Sequence, residues 1–136
     1  SLHRTDHHER AMRRLISIEP ENPHAYNALG YTLADKTDRL AEALELIEKA
    51  LALSPGDPFI LDSLGWVHYR RGDLDSALEL LQQAIEQQPD AEIAAHLGEV
   101  LWQMGDEDGA LIVWQGGQQN NPENAVLIET LRRYGQ

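Results

Sequence analysis

The sequence predicts an all-α protein built as a solenoid of helix-turn-helix units. Three observations carry that prediction. Leu-Gly motifs recur with a period of about 34 residues: Gly30, Gly65 and Gly98 lie 35 and 33 residues apart, preceded by Leu29, Leu64 and Leu97. Further positions keep the same period, namely Ala43, Ala77 and Ala110, then Ile47, Leu81 and Trp114. Finally, Pro20, Pro55, Pro89 and Pro122 close successive units, because proline lacks the backbone donor and clashes with the preceding turn. Between each glycine and the next proline lie two helix-length patterns around a polar turn, ADKTDR, RRGDLD and QMGDED.

Each element can be placed in order. Residues 1–22 hold a helix from about Asp6 to Ile18, apolar at Met12, Leu15 and Ile16 and closed by Pro20. It reads as the second helix of a unit whose first helix is missing, as if a longer array had been cut. Met12, Leu15 and Ile16 are then expected to be partly uncovered and open to self-association. Three full units follow over 23–57, 58–90 and 91–124. The first carries one extra residue, expected in its turn. The third has Gly116 and Gly117 in its second helix, which is therefore expected to fray early. Residues 125–136 begin a further first helix, AVLIETLRRYG, with Arg132 where glycine would sit. Arg132 and Arg133 fall in its last turn, where cations suit the helix dipole, and the bulk of Arg132 opposes another helix, so a capping helix is expected.

Composition narrows the functional classes. No run approaches the roughly 18 apolar residues of a membrane span, so direct membrane insertion by this segment is not expected. The absence of cysteine excludes disulfides and thiolate metal sites. The formal charge is -12, and residues 72–131 contain no Lys or Arg. A phosphate backbone would be repelled there, which makes nucleic acid a poor partner. His3, His7 and His8 beside Asp6 could share a metal at helical spacing, but no closed ligand set is visible and they read as solvated. GDEDG, residues 105–109, lacks the ligand spacing of a calcium loop and reads as a turn with helix N-terminal acids. No nucleophile-base ordering, inward carboxylate pair or phosphate-cradling glycine loop occurs, so no enzyme activity, cofactor or metal is expected.

The middle unit, with Leu61, Leu64, Gly65, His68, Gly72, Ala77, Leu81, Ala84 and Pro89, resembles the tetratricopeptide repeat (TPR) family. The resemblance recurs in all three units, over roughly residues 23–124, and implies a right-handed superhelix. Leu61, Leu64, Gly65 and His68 share one face of the first helix. The small residues Gly65, Ala77 and Ala84 let two backbones approach, and burial at about 25 cal/mol per Å² offsets the glycine penalty of about 1 kcal/mol. Phe59, Asp62, Trp66 and Tyr69 form a second stripe about 100° away, so Trp66 is not expected to enter that core.

In the TPR family this second stripe lines a concave groove, and the resemblance places three helices there. The first offers His24, Asn27, Tyr31 and Asp35; the second Phe59, Asp62, Trp66, Tyr69 and Arg70; the third Glu92, His96, Glu99, Trp102 and Gln103. Trp and Tyr on a solvated face mark partner binding; alternatively Trp66 and Trp102 fill the seam between successive first helices. TPR domains that clamp a carboxyl terminus use charged donors at fixed positions. Here those positions hold Asn27, Tyr31, Ser63, Glu92 and His96, and the clamp is absent.

A narrower resemblance rests on GYTLAD and DSLGW within residues 18–136. It is to the C-terminal TPR region of large Gram-negative TPR lipoproteins, the LbcA-like adaptors that bind a carboxyl-terminal processing protease. It implies a non-enzymatic adaptor at the periplasmic face of the outer membrane, anchored by a lipid outside this chain. The alternatives are a structural assembly module of pilus or envelope machinery, and a regulatory TPR domain of a larger, cytoplasmic enzyme.

Overall fold

The computed structural model describes residues 2–136, with side chains from residue 4 onward. Its elements are α1 (Leu2–Ile18), α2 (Pro23–Lys36), α3 (Leu40–Leu53), α4 (Pro58–Arg70), α5 (Leu74–Gln87), α6 (Ala91–Gln103), α7 (Glu107–Asn120) and α8 (Ala125–Arg133). No strand occurs among the described residues. The helices start where the sequence supplies acceptors for their unpaired first amides. Asn22, Asp57, Asp73, Asp90, Asp106 and Asn124 each accept a backbone N–H from the first turn of the helix they precede. Pro23 and Pro58 follow two of these caps, a position where the missing N–H costs nothing.

The turns inside the pairs close in two ways. After α4 and α6, Gly72 (φ 87°) and Gly105 (φ 92°) adopt the left-handed conformation. This lets Asp73 N donate to His68 O and Asp106 N donate to Leu101 O, each at 2.9 Å, which satisfies a last-turn carbonyl. After α2 no glycine is present. The Thr37 hydroxyl donates to Leu33 O at 2.6 Å and accepts from Arg39 N at 3.0 Å instead. The extra residue expected in this first turn lies elsewhere: all three turns have the same length, and α2 has 14 residues against 13 in α4 and α6.

Packing follows the repeat. α2 packs on α3, α4 on α5 and α6 on α7, while α2, α4, α6 and α8 contact one another in succession. The glycines set the closeness of each pair. A Cβ on Gly30 would lie 2.5 Å from Ile47 Cγ1, on Gly65 2.9 Å from Leu81 Cγ, and on Gly98 2.0 Å from Trp114 Nε1. Trp114 is 1% exposed, and its Nε1 donates to Ala95 O at 3.2 Å.

One expectation is corrected here. α7 does not fray at its glycines but continues to Asn120. Gly117 is buried, and a Cβ on it would lie 2.9 Å from Ala94 Cβ and 3.1 Å from Leu127 Cδ2. A side chain there would push α7 off α6 and α8, so packing overrides propensity. Trp66 is absent from the cluster of Ala77 and Leu81 that Gly65 borders. It is 5% exposed in the seam between first helices, with Leu29, Leu33, Ile60 and Val67, because α2 covers the stripe that looks solvated on α4 alone.

At the first helix, Met12 and Ile16 pack against the α2–α3 core and, with Leu15, remain half-buried. Glu9 accepts from Arg39 at 2.8 and 2.9 Å and from Arg13 at 3.0 Å. These hydrogen bonds hold its carboxyl down to about 2. Of the histidines considered as metal ligands, the His3 side chain lies outside the described residues. His8 Nε2 stands 3.4 Å from Ala28 O, and His7 Nδ1 is 3.2 Å from Arg10 Nη2.

The Gly98 contact gives a signed prediction. Glycine to alanine normally favours a helix by about 1 kcal/mol, yet Gly98→Ala must displace the Trp114 ring and should lower unfolding free energy by about 2–3 kcal/mol. Urea unfolding of the variant checks the sign.

Candidate functional site

The stripe that follows the glycines builds the site. Tyr31, Trp66, Glu99 and Arg133 come directly after Gly30, Gly65, Gly98 and Arg132, so the repeat places them on corresponding edges of α2, α4, α6 and α8. These four helices enclose a groove of about 860 Å³. Its lining includes Tyr31, Asp35 and Lys36 of α2, Trp66, Tyr69 and Arg70 of α4, and His96, Glu99 and Gln103 of α6. α8 closes it with Val126, Glu129, Thr130 and Arg133.

A polar and aromatic network forms the floor. His96, 2% exposed, has Nδ1 at 2.8 Å from Asp62 Oδ1 and Nε2 at 3.1 Å from the Tyr31 hydroxyl. Its ring stacks on Trp66 with centroids 4.3 Å apart, and Trp66 stacks on Tyr69 at 4.8 Å. The Trp66 indole donates to Asp35 Oδ1 at 3.3 Å. Tyr69 donates to Glu99 Oε2 at 2.8 Å, and Arg133 Nη2 donates to Glu99 Oε1 at 2.8 Å. Three successive first helices are thus tied through His96, and a fourth through Glu99.

Burial and neighbours shift the ionisable groups. Burial works against the His96 imidazolium, but the Asp62 carboxylate, through charge and hydrogen bond, outweighs it, and Glu92 and Asp35 add to the effect. The His96 pKa therefore stands above its usual value of 6.5. Burial raises the phenols of Tyr31 and Tyr69, with nearby carboxylates adding. Glu92 is also raised, chiefly by burial.

The expected groove residues divide into two groups. The cavity brings together Tyr31, Trp66, Tyr69, Arg70, Glu99 and Gln103. Asn27, Phe59, Asp62 and Trp102 do not line it. Asp62 lies beneath the floor at 3% exposure, and Phe59 is 45% exposed away from the lining. Asn27 Oδ1 is buried without a hydrogen-bond partner. Trp102 stacks on Trp114 and tilts against Tyr134, with centroids at 5.8 and 5.3 Å, so it fills the seam of α6, α7 and α8. Missing from the expectation were Lys36 and the whole α8 wall. The period itself marks Arg133 as the successor of Tyr31, Trp66 and Glu99. Among the described residues no group of three or more metal-ligating side chains converges.

The spacing and the helix pairs have counterparts in known proteins. Residues 23–90 match the tetratricopeptide repeat family, and residues 63–125 match it again through a second description of the repeat. The chain belongs to the tetratricopeptide repeat family. TPR domains generally bind protein partners and serve as non-enzymatic scaffolds. TPR repeat-containing protein PA4667 of Pseudomonas aeruginosa is 57% identical over 91 residues, which is 67% of this chain and 15% of that protein. Bacteriophage adsorption protein A of Escherichia coli is 31% identical over 75 residues, 55% of this chain and 8% of that protein. The chain spans less than a fifth of the length of the curated relatives it matches, from 8% to 18%.

Among solved structures, the thermophilic TPR protein TTC0263 of Thermus thermophilus superposes with a TM-score of 0.76 at 23% identity. The match covers 93% of this chain and 69% of that one, and it shows the shared fold. An O-GlcNAc transferase mutant of Thermobaculum terrenum is similar with a TM-score of 0.71 at 26% identity, over 82% of this chain and 22% of that chain.

His96 gives a pH prediction. Its pKa is higher in the fold than in the unfolded chain, so its contribution to stability is fully present below about pH 6.5 and is lost as pH rises through the folded value. The difference in unfolding free energy between wild type and His96→Asn should therefore shrink as pH rises above about 6.5 and through the folded value. Paired urea titrations measure it; a difference that stays constant would show a neutral imidazole.

Proposed function

We propose that this TPR array is an adaptor module whose concave groove holds a segment of a partner protein. The observation that carries the reading is the groove of about 860 Å³ with an ordered aromatic floor and a polar rim. Tyr31, Trp66 and Tyr69 are already fixed by stacking and hydrogen bonds, so a partner meets a preorganised surface and little ordering entropy opposes binding. Arg70 is held only loosely, at 3.4 Å from Asp35 O and 3.9 Å from Asp38 Oδ1. It is therefore available to a carboxylate or carbonyl of the incoming chain.

The finer reading is an envelope adaptor of the LbcA-like kind, presenting a carboxyl-terminal processing protease or its substrates at the periplasmic face of the outer membrane. The GYTLAD and DSLGW motifs and the 57% identity to the Pseudomonas TPR protein support it. The lipid anchor in this reading belongs to sequence outside this chain.

Removing rim contacts separates binding from folding, whereas removing Trp66 would not, since that residue is core. The double variant Arg70→Ala with Gln103→Ala should lose about 1–4 kcal/mol of partner binding while its stability changes by no more than about 1 kcal/mol. Pull-down of Gram-negative envelope proteins, the processing protease among them, beside thermal unfolding tests this. Capture of every wild-type partner by the folded double variant would defeat the groove reading.

A further inference from the structure

One glycine has no structural cause in the fold. Gly116 sits inside α7, where glycine is a poor helix former. Its φ is not positive, and a Cβ on it would meet nothing within 4 Å. The neighbouring Gly117 differs, since a Cβ there would strike Ala94 and Leu127. What the bare backbone at Gly116 does is leave open a second cavity, of about 510 Å³, between α5 and α7.

This cleft is mainly apolar inside, with Asp90, Gln119 and Asn120 also on its lining, and lies in a stretch of sequence without Lys or Arg. α5 and α7 each pack on α6 but make no close backbone contact with one another. Ala94 and Leu97 of α6 form the floor, Ile85 and Val113 the walls. Both wall residues are half-buried against the cluster of Ala77, Leu81, Leu97 and Val100. Ile112 stands at the lip and is 69% exposed. One end is tied by Asn120, which donates to Pro89 O. In the two preceding units the position of Gly116 holds Gln83 and Lys49, long side chains where the third unit has none. The flanking helices carry Asp75, Glu79, Glu86, Glu107 and Asp108, and no Lys or Arg occurs anywhere in 72–131.

We infer that the α5–α7 cleft docks a basic amphipathic helix of a partner protein. Apolar side chains of that helix pass over Gly116 and pack beside Ile85, Ile112 and Val113, in the manner of a helix laid in a groove. Its Lys and Arg face the carboxylates of α5 and α7, the complement that this surface lacks in itself. The site is separate from the concave groove and stands whether or not that groove binds a partner.

The test uses a synthetic helical peptide with Leu at i, i+3, i+4 and i+7 and Lys elsewhere, and a control with Glu in place of Lys. Fluorescence anisotropy should show binding of the Lys peptide, weakened several-fold between about 0.01 M and about 0.15 M salt by screening, and none of the Glu peptide. Gly116→Gln should raise the thermal midpoint, because it adds a helix former in open space, and weaken Lys-peptide binding by about tenfold or more. Ile112→Ser should weaken binding similarly with little change in midpoint. Arg70→Ala with Gln103→Ala should leave it unaltered. The inference is overturned if both cleft variants bind the peptide as wild type does, which would indicate a diffuse acidic surface. Equal binding of the Glu peptide overturns it as well. So does self-association, seen by light scattering and abolished by Gly116→Gln, which would make a second copy the occupant.

Discussion

The array depends on one constraint repeated along it, the approach of two helices so close that one residue of the first can carry no side chain. Gly30, Gly65 and Gly98 meet Ile47, Leu81 and Trp114 at distances no Cβ could occupy unmoved. Glycine in a helix costs about 1 kcal/mol, while burying a large apolar side chain returns about 1.5–3 kcal/mol. Burial wins at every pair. The same contact fixes how each first helix is rotated, and so fixes where the residue after the glycine points. Tyr31, Trp66 and Glu99 reach one groove because Gly30, Gly65 and Gly98 are pinned against their partners.

Arg133 extends that logic past the last glycine. It follows Arg132, whose side chain is 74% exposed and paired with Glu129 at 3.2 Å. α8 therefore keeps the register of a first helix with a large residue at the glycine position, since among the described residues no second helix packs there. Arg133 turns inward to Glu99 instead, and Glu99 also accepts from Tyr69. An ion pair in which only Glu99 is buried and Arg133 is half exposed is weak support for stability by itself, because solvent screens the attraction and desolvation of Glu99 offsets it. Its value here is registry. Asp62, His96 and Tyr31 come from three helices, and a shift of any one would leave buried polar atoms without partners, at a cost of about 1–3 kcal/mol each.

Much of the fold could be read from the chain because a period of about 34 residues carries the information many times over. Closing prolines agreed with it at each repeat, and side-chain caps and turn glycines in the second and third. The site was less accessible, and Trp66 shows why. A helical wheel states which way a side chain leaves its own helix, not what the neighbouring helix lays over it. α2 covers Trp66 and α8 walls the groove, and both are consequences of how units stack. Gly116 and Gly117 make the same point at the smallest scale: equal in propensity and adjacent in sequence, one is demanded by a 2.9 Å approach and the other borders open space.

Charge separates the two halves of the chain. Residues 72–136 contain two basic and twelve acidic residues, against nine and eleven in residues 1–71. Inside the groove the carboxylates are largely engaged, Asp35 with Trp66 and Lys36, and Glu99 with Tyr69 and Arg133. The surface acids of α5 and α7 lie in a stretch, 72–131, that holds no Lys or Arg to do the same. Salt screens exposed charges beyond about 8–10 Å but acts much less on buried pairs. The acidic second helices therefore create a field that fades with ionic strength. The proposed groove contacts combine hydrogen bonds and stacked rings with the charge of Arg70. A partner engaging both surfaces would arrive by one force and be selected by the other.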